Sequence, residues 1–503
     1  MMDKTIKPYF YLLSSVIVVA TLYCYNPFNL YFLADDFLHI PASATNVWVQ
    51  QNSLRPIGNL SLKLDYFFSN NHALGYHITN LLLHIINAVL VYSVSRHIFQ
   101  QFANIQNAYL SILIAIFFFS YPFHSEAVFW IIGRSGSLGA LFFLAAFYCW
   151  LQQQQSVLFK IGVFVFFQLA LFSYESSWVF PIVIALFMYI QWSTNKEYIR
   201  TLLGLFLLII FQLMLHLYIR YEATGEFMNQ YDANSFVQFN IPLLLQNFFR
   251  LFARTLVPPL FSNTLFLSIF FLAIFIIIWM VVVMFRTKKM NRFYVVLTLV
   301  WLFSYLPYLS IGIDTHGVEG ERYLYLPSLF FCIWLVYLLH QLLSSKATII
   351  AVLVVCTVNF FFLQNARNYY TKAGTITQLT IEQINQLPNK QRIFFYQLPQ
   401  YNKGAVVFRT GLEDAVKWLG KKSEQQLIVV TKDNSDEVPK QHHYNFFRVQ
   451  FNEKITIPSI SSILIPDTSF RKNYIEKDTL QLFFNPSTDA WFQYSDTSLI
   501  IQH

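Results

Sequence analysis

Apolar residues in this chain gather into runs separated by short polar breaks. Runs of about 17 to 25 residues match a hydrocarbon core of roughly 30 Å. Such runs, centred near Val18, Ile85, Leu113, Phe143, Phe164, Ala185, Phe206, Phe275, Thr298, Leu335 and Val355, predict about eleven membrane-spanning helices. The first, from about residue 8 to residue 25, has no small-residue cleavage site after it and reads as a retained helix rather than a secretory signal. Beyond "FFLQNARNYYTK" the pattern changes to short mixed segments punctuated by Pro, Asn, Asp and Ser. There "RIFFYQL", "QQLIVVT", "YNFFRVQF" and "TLQLFF" read as strands and "GLEDAVKWLG" as a short helix. The expected organisation is a polytopic α-helical membrane domain over residues 1–365 and a soluble α+β domain over 366–503. No repeat of 20 to 50 residues is visible, which argues against a helical repeat array.

Composition agrees with the pattern. With 56% hydrophobic and 12% charged residues and a mean hydropathy of +0.45, the chain is not a soluble globule. Charge then sets orientation, because lysine and arginine are retained on the cytoplasmic side. With the N-terminus inside, Lys4, Lys7, Arg96, Lys160, Lys196, Arg200, Arg286, Lys288, Lys289, Arg292 and Lys346 fall in or beside inner loops, eleven of the eighteen basic residues before position 366. Of the acids in that region only Asp3 and Glu197 are left inside. An odd number of spans puts the tail outside, so the expected location is the cytoplasmic (inner) membrane of a bacterium with a periplasmic C-terminal domain. The tail's sixteen Lys/Arg against thirteen Asp/Glu make no basic arm for nucleic acid. Cys24, Cys149, Cys332 and Cys356 all lie in apolar runs and read as packing residues, with no disulfide or CxxC metal site indicated.

Two outer loops are long, about 27–73 and 220–262, and long loops in compact proteins are usually functional or disordered. The later one contains "NFFRLFARTLVPPL", in which Arg250 and Arg254 stand at i and i+4 among aromatic residues, as in a helix lying in the interface with its arginines at headgroup level. The first begins with "FLADDFLHI". Neighbouring side chains point in different directions on either regular structure, so Asp35 and Asp36 cannot both aim at one atom: one acts, and the other orients it or binds a cation. A carboxylate beside the membrane suits general-base work on a hydroxyl, and a solvated turn or helix cap is the bland alternative.

Other outer-face groups keep it company. "YPFHSEAVFWIIGR" supplies His124, Glu126 and Arg134, and "GVEGERYLYLP" supplies Glu319, Glu321 and Arg322. Arg322 falls at the outer, N-terminal end of a span, where a phosphate fits; pairing with a nearby acid is the structural alternative. In "GYHITNLLLHIIN", His77, Asn80, His84 and Asn87 form one polar stripe, read first as interhelical hydrogen bonding and second as metal ligation.

These residues carry a resemblance. The outer "DD" with "RPIGNLSLKLDYFFSNNHALGYHITNLLLHIINAVLVY", then "HSEAVFWIIGRSGSLGALFFLAAFY", then "ERYLYLPS", resembles the membrane part of TMTC-type O-mannosyltransferases and their bacterial relatives in the GT-C class. The likeness covers most of residues 30 to 330, and the family's helical repeats are replaced by a different outer domain. The resemblance implies a GT-C-like fold, a polyprenyl-phosphate-linked sugar as donor, inversion at the anomeric carbon, a protein or glycan acceptor, and a first-loop acid, Asp35, as base with Asp36 beside it. It implies donor phosphate or substrate binding by residues among Arg322, Arg134, Glu126, His124, Glu321, Arg55 and His77. No cofactor is certain, and the need for a divalent cation stays open. The rival classes are a transporter or flippase of lipid-linked glycans, which should place charges along a route through its spans, and an outer-face ligase or polymerase.

Overall fold

The computed structural model describes residues 24–48, 54–191, 196–225, 240–260, 262–386, 392–396 and 398–420, together with strands at 426–430, 453–457, 460–465, 479–485, 490–495 and 498–501. The chain divides into two compact units, one comprising Met1–Leu30, His39–Thr371 and Lys403–Ala405, the other Tyr31–Leu38, Lys372–Asn402 and Val406–His503.

The described helices are α1 (Asp36–Thr45), α2 (Pro56–Ser69), α3 (Ala73–Phe102), α4 (Tyr109–Phe119), α5 (Ser125–Phe129), α6 (Arg134–Gln152), α7 (Val157–Leu171), α8 (Phe180–Gln191), α9 (Lys196–Thr224), α10 (Ile241–Leu256), α11 (Asn263–Arg286), α12 (Arg292–Phe303), α13 (Tyr325–Leu342), α14 (Ser345–Gln386) and α15 (Leu412–Leu419). Among the described residues six stretches are long and apolar enough to cross a membrane: α3, α6, Tyr198–Glu222 within α9, α11, Glu321–Leu342 ending in α13, and α14. A seventh results if the bent pair Tyr109–Phe119 and Pro122–Phe129 is one span. Three other apolar runs, Val157–Leu171, Glu175–Ile190 and Arg292–Tyr308, form shorter helices. Fifteen residues at 1.5 Å each reach only about 22 Å, short of a roughly 30 Å core. The run near Val18 lies outside the described residues.

Local chemistry sets the helix starts. Ser156, Asn240, Ser262 and Asn291 each accept a backbone N–H from the third residue on, capping α7, α10, α11 and α12. The 57° bend after α4 falls at Tyr121–Pro122. Proline has no N–H to continue the ladder and holds the residue before it extended, and Tyr121 has φ −66° and ψ 121°. The helix restarts with His124, Ser125 and Glu126 turned into the interior, all fully buried. Of the carbonyls left open at the break, that of Phe119 accepts from the Tyr25 hydroxyl at 2.6 Å and lies 3.2 Å from His84 Nε2.

The polar stripe on α3 ties helices together. Asn80 donates to the carbonyls of Trp130 and Val128, His84 Nδ1 meets the Tyr325 hydroxyl at 2.8 Å, and Asn87 donates to the Ser137 carbonyl at 2.8 Å. His77 is buried on the same helix. The interhelical reading of this stripe is the observed one for Asn80, His84 and Asn87. Among the described residues no group of three or more His, Cys, Asp or Glu could hold a metal ion. All four cysteines are free and buried.

In the second unit, β1 (Arg392–Tyr396), β2 (Gln426–Val430), β3 (Thr479–Asn485), β4 (Ala490–Ser495) and β5 (Ser498–Ile501) form a mixed sheet in the order β2-β1-β3-β4-β5. β1 pairs in parallel with β2 and β3, while β3, β4 and β5 run antiparallel. Glu453–Ile457 and Ile460–Ile465 make a separate antiparallel pair.

Candidate active site

The bend at Pro122 and the 3₁₀ turn Glu321–Leu324 bring two sequence-adjacent pairs together in the first unit. Ser125 donates its hydroxyl to the Glu321 carboxylate, and Glu126 accepts from both the backbone N–H of Arg322, at 2.9 Å, and its guanidinium. Glu126 is fully enclosed, whereas the Arg322 side chain keeps 21% of its surface exposed. Its guanidinium lies over the Tyr323 ring at 4.7 Å and the Trp130 ring at 5.2 Å, and donates to the Tyr323 hydroxyl. The bidentate acid and flanking rings fix this partly exposed group in one place.

A second arginine stands nearby. Arg55, just before α2, donates from Nε and Nη2 to both oxygens of Glu175, each at 2.9 Å, and lies 4.9 Å over the Tyr174 ring. Tyr174 neighbours Tyr308, which neighbours Tyr323 at 5.0 Å between ring centres, so a row of tyrosine rings runs from one arginine to the other. Burial works against the charged form of Arg55, the Glu175 carboxylate more than offsets it, and Arg322 pulls the other way as a like charge, leaving the guanidinium pKa above its ordinary value. The side chains of Arg55 and Glu175 are 36% and 43% exposed, so this ion pair is open to exchange with an incoming anion.

Arg134 occupies a different environment. It heads α6 with no exposed surface and donates to the Ile131 carbonyl, Ser61, Asp65 and the Tyr76 carbonyl. These bonds tie α2, α3 and α6 to one another. Arg254 does not snorkel from an exposed helix face as the sequence suggested: it is fully buried, donates to Glu321 at 2.6 Å and to the carbonyls of Asp314 and Val257, and lies over Phe123. The acid it meets lies 67 residues away, which overrides the local snorkelling pattern, and Arg250 alone of the two remains exposed. His124 is buried against Ser328 at 2.6 Å and Tyr325.

The two aspartates belong to the second unit. Asp36 opens α1 fully buried, and its carboxylate accepts the Leu33 N–H at 2.9 Å. Asp35 keeps 23% of its side chain exposed, accepts from the Thr410 hydroxyl and lies 3.4 Å from the Arg409 guanidinium.

Tyr174, Glu175, Tyr308 and Tyr323 went unread as site residues in the sequence. Glu175 carried a usable signal, an acid in "SYESS" at the start of an apolar run; the tyrosines are ordinary among thirty.

No family model matches the chain. Human TMTC3, a protein O-mannosyl-transferase, is 29% identical over 113 residues, 22% of this chain and 11% of that protein. Human TMTC4 is 36% identical over 107 residues, 19% of this chain and 14% of that one. A Caenorhabditis elegans protein O-mannosyl-transferase is 24% identical over 410 residues, 76% of this chain and 54% of its own length. The chain is similar to the TMTC protein O-mannosyl-transferases. This agrees with the resemblance carried by the ordered motifs, although the matched part spans only 11% and 14% of the two human relatives and 54% of the Caenorhabditis elegans one. Among solved structures, ArnT from Cupriavidus metallidurans bound to undecaprenyl phosphate aligns with TM-score 0.44 and 12% identity over 96% of this chain and 94% of that one. The Archaeoglobus fulgidus oligosaccharyltransferase tethered to an acceptor peptide aligns with TM-score 0.42 and 12% identity over 84% and 64%.

Proposed function

We propose that this chain is an integral-membrane glycosyltransferase of the GT-C class, with eleven spans, its N-terminus inside and its tail outside, that takes a sugar from a polyprenyl-phosphate carrier and gives it to a hydroxyl of a protein or glycan. The observation that carries the reading is the partly exposed Arg322 side chain, its guanidinium held between Glu126 and two aromatic rings and joined by tyrosines to the exchangeable Arg55–Glu175 pair. Two forked cations facing a row of rings suit a phosphate that leaves a sugar. In the transfer, the acceptor oxygen forms a bond to the anomeric carbon from the face opposite the phosphate. The carbon–oxygen bond to phosphate breaks, and its electron pair leaves on the carrier, where Arg322 and Arg55 stabilise the added charge. The acceptor proton passes to Asp35, inverting the anomeric centre in one displacement. Arg134, Arg254, Glu321, His124 and His77 hold the scaffold in this reading, and Asp36 builds the turn that presents Asp35.

The test is incubation of the purified protein with a panel of radiolabelled polyprenyl-phosphate sugars, polyprenyl-phosphate mannose among them, scoring transfer or slow hydrolysis. Release of sugar from one donor, abolished by Asp35→Asn, is expected. No release from any of the panel by a folded protein would overturn the reading.

A further inference from the structure

The outer acid segment is not free-standing. Ala34 has φ +44°, a left-handed conformation that is costly for any residue with a Cβ, and its N–H donates to the Val407 carbonyl at 3.0 Å. Gly411, at φ +83°, comes so close that a Cβ there would stand 2.2 Å from the Ala34 carbonyl oxygen. Phe32 packs on Trp418 at 4.8 Å between ring centres, and Phe37 stacks on Phe408. Residues from 407 to 418 thus hold the strained turn from three sides. Within it the two carboxylates divide: Asp36 is consumed by the Leu33 N–H, and Asp35 is left with a hydroxyl on one oxygen and a guanidinium beside the other.

We propose that Arg409 and Thr410 of the tail are positioning residues for Asp35. The inference rests on the reading of Asp35 as the base. A carboxylate on a short side chain rotates about two bonds, and only some orientations aim a lone pair at an acceptor hydroxyl. Thr410 donates to Oδ1 and thereby fixes the plane of the group. Arg409 faces Oδ2 at 3.4 Å, is 33% exposed, and lies 5.9 Å from the centre of the Tyr401 ring, so it steadies the charge without enclosing it. The tail of this chain then supplies part of the catalytic geometry rather than acceptor binding alone.

The experiment measures kcat and donor KM of the full-length protein in detergent, with polyprenyl-phosphate mannose as donor and water as acceptor, next to melting temperature. Thr410→Val and Arg409→Gln are each expected to lower kcat about tenfold while leaving donor KM and melting unchanged, and Thr410→Ser and Arg409→Lys to restore most of it. Asp35→Asn is expected to lose at least about a hundredfold. Wild-type kcat in the Arg409→Gln, Thr410→Val double variant, with Asp35→Asn inactive, would overturn the positioning role and leave the base standing. Full activity in Asp35→Asn would overturn both. A kcat loss in Thr410→Val that Thr410→Ser does not restore, accompanied by a lower melting temperature, would mark a purely structural contact and also overturn the proposal.

Discussion

Two arginines at helix starts, Arg134 and Arg322, look alike in the sequence; paired with Asp65 and Glu126, they differ in the fold. The first pair leaves 1% of the arginine exposed and meets carbonyls and a hydroxyl on every remaining side. The second leaves 21% exposed and meets aromatic rings. A buried ion pair that is fully satisfied holds helices in register, and removing one partner strands the other in a medium that cannot solvate it. In the proposed reading, a partly exposed pair between π faces keeps a charge available to a ligand. What would then separate scaffold from site is the company of the third and fourth neighbours, not the pair itself.

The comparison predicts opposite failures. The largest effect is expected from Arg134→Met, which leaves Asp65 buried and unpaired and should cost about 3–5 kcal/mol of stability. The detergent-purified variant should melt far below wild type, and Asp65→Asn in the same chain should recover most of the loss. Unchanged melting combined with lost donor binding would make Arg134 a site residue and erase the distinction. Next comes Arg322→Lys, which keeps the charge on Glu126 but gives up the fork and the stacking. Turnover should drop by about 10 to 100-fold with melting nearly unchanged; wild-type turnover in a folded Arg322→Lys protein would remove Arg322 from the chemistry. Arg55→Lys, at the more exposed pair, should cost only a few-fold in donor KM, measured in the same assay, and a larger loss than that of Arg322→Lys would reverse their ranking. The smallest perturbation is Ser69→Cys at the end of α2. It should leave activity intact and react with an impermeant thiol reagent in whole cells, and protection there would place the α2 end of the site on the inner side.

Periodicity made most of the helices legible, because a bilayer demands long apolar runs and little else competes with that signal. Ten of the expected centres, from Ile85 to Val355, fall in described helices or in the bent pair, and the tail's strands at 392–396, 426–430 and 479–485 stand in the short mixed segments that read as strands, while the expected strand "YNFFRVQF" lies outside the described residues. The division of labour between Asp35 and Asp36 was legible as a geometric restriction, since adjacent side chains diverge. Their partners were not. Thr410 and Arg409 lie about 375 residues away, as Glu175 lies 120 from Arg55, and one sequence holds no record of such pairings. Arg254 misled for the same reason: its spacing from Arg250 fits a surface helix, and only the folded chain puts Glu321 against it.

The bend at Pro122 carries a consequence for how this chain changes over generations. A hydrocarbon interior has no water to accept an orphaned carbonyl, so the break is tolerated because the Tyr25 hydroxyl and the His84 ring stand at the Phe119 oxygen. Descendants that replace His84 or Tyr25 by an apolar residue should also regain a continuous helix at 122, and those that keep the proline should keep both polar side chains. Positions 25, 84 and 122 would then be inherited as a set, a covariation imposed by one helical turn that the bend leaves open.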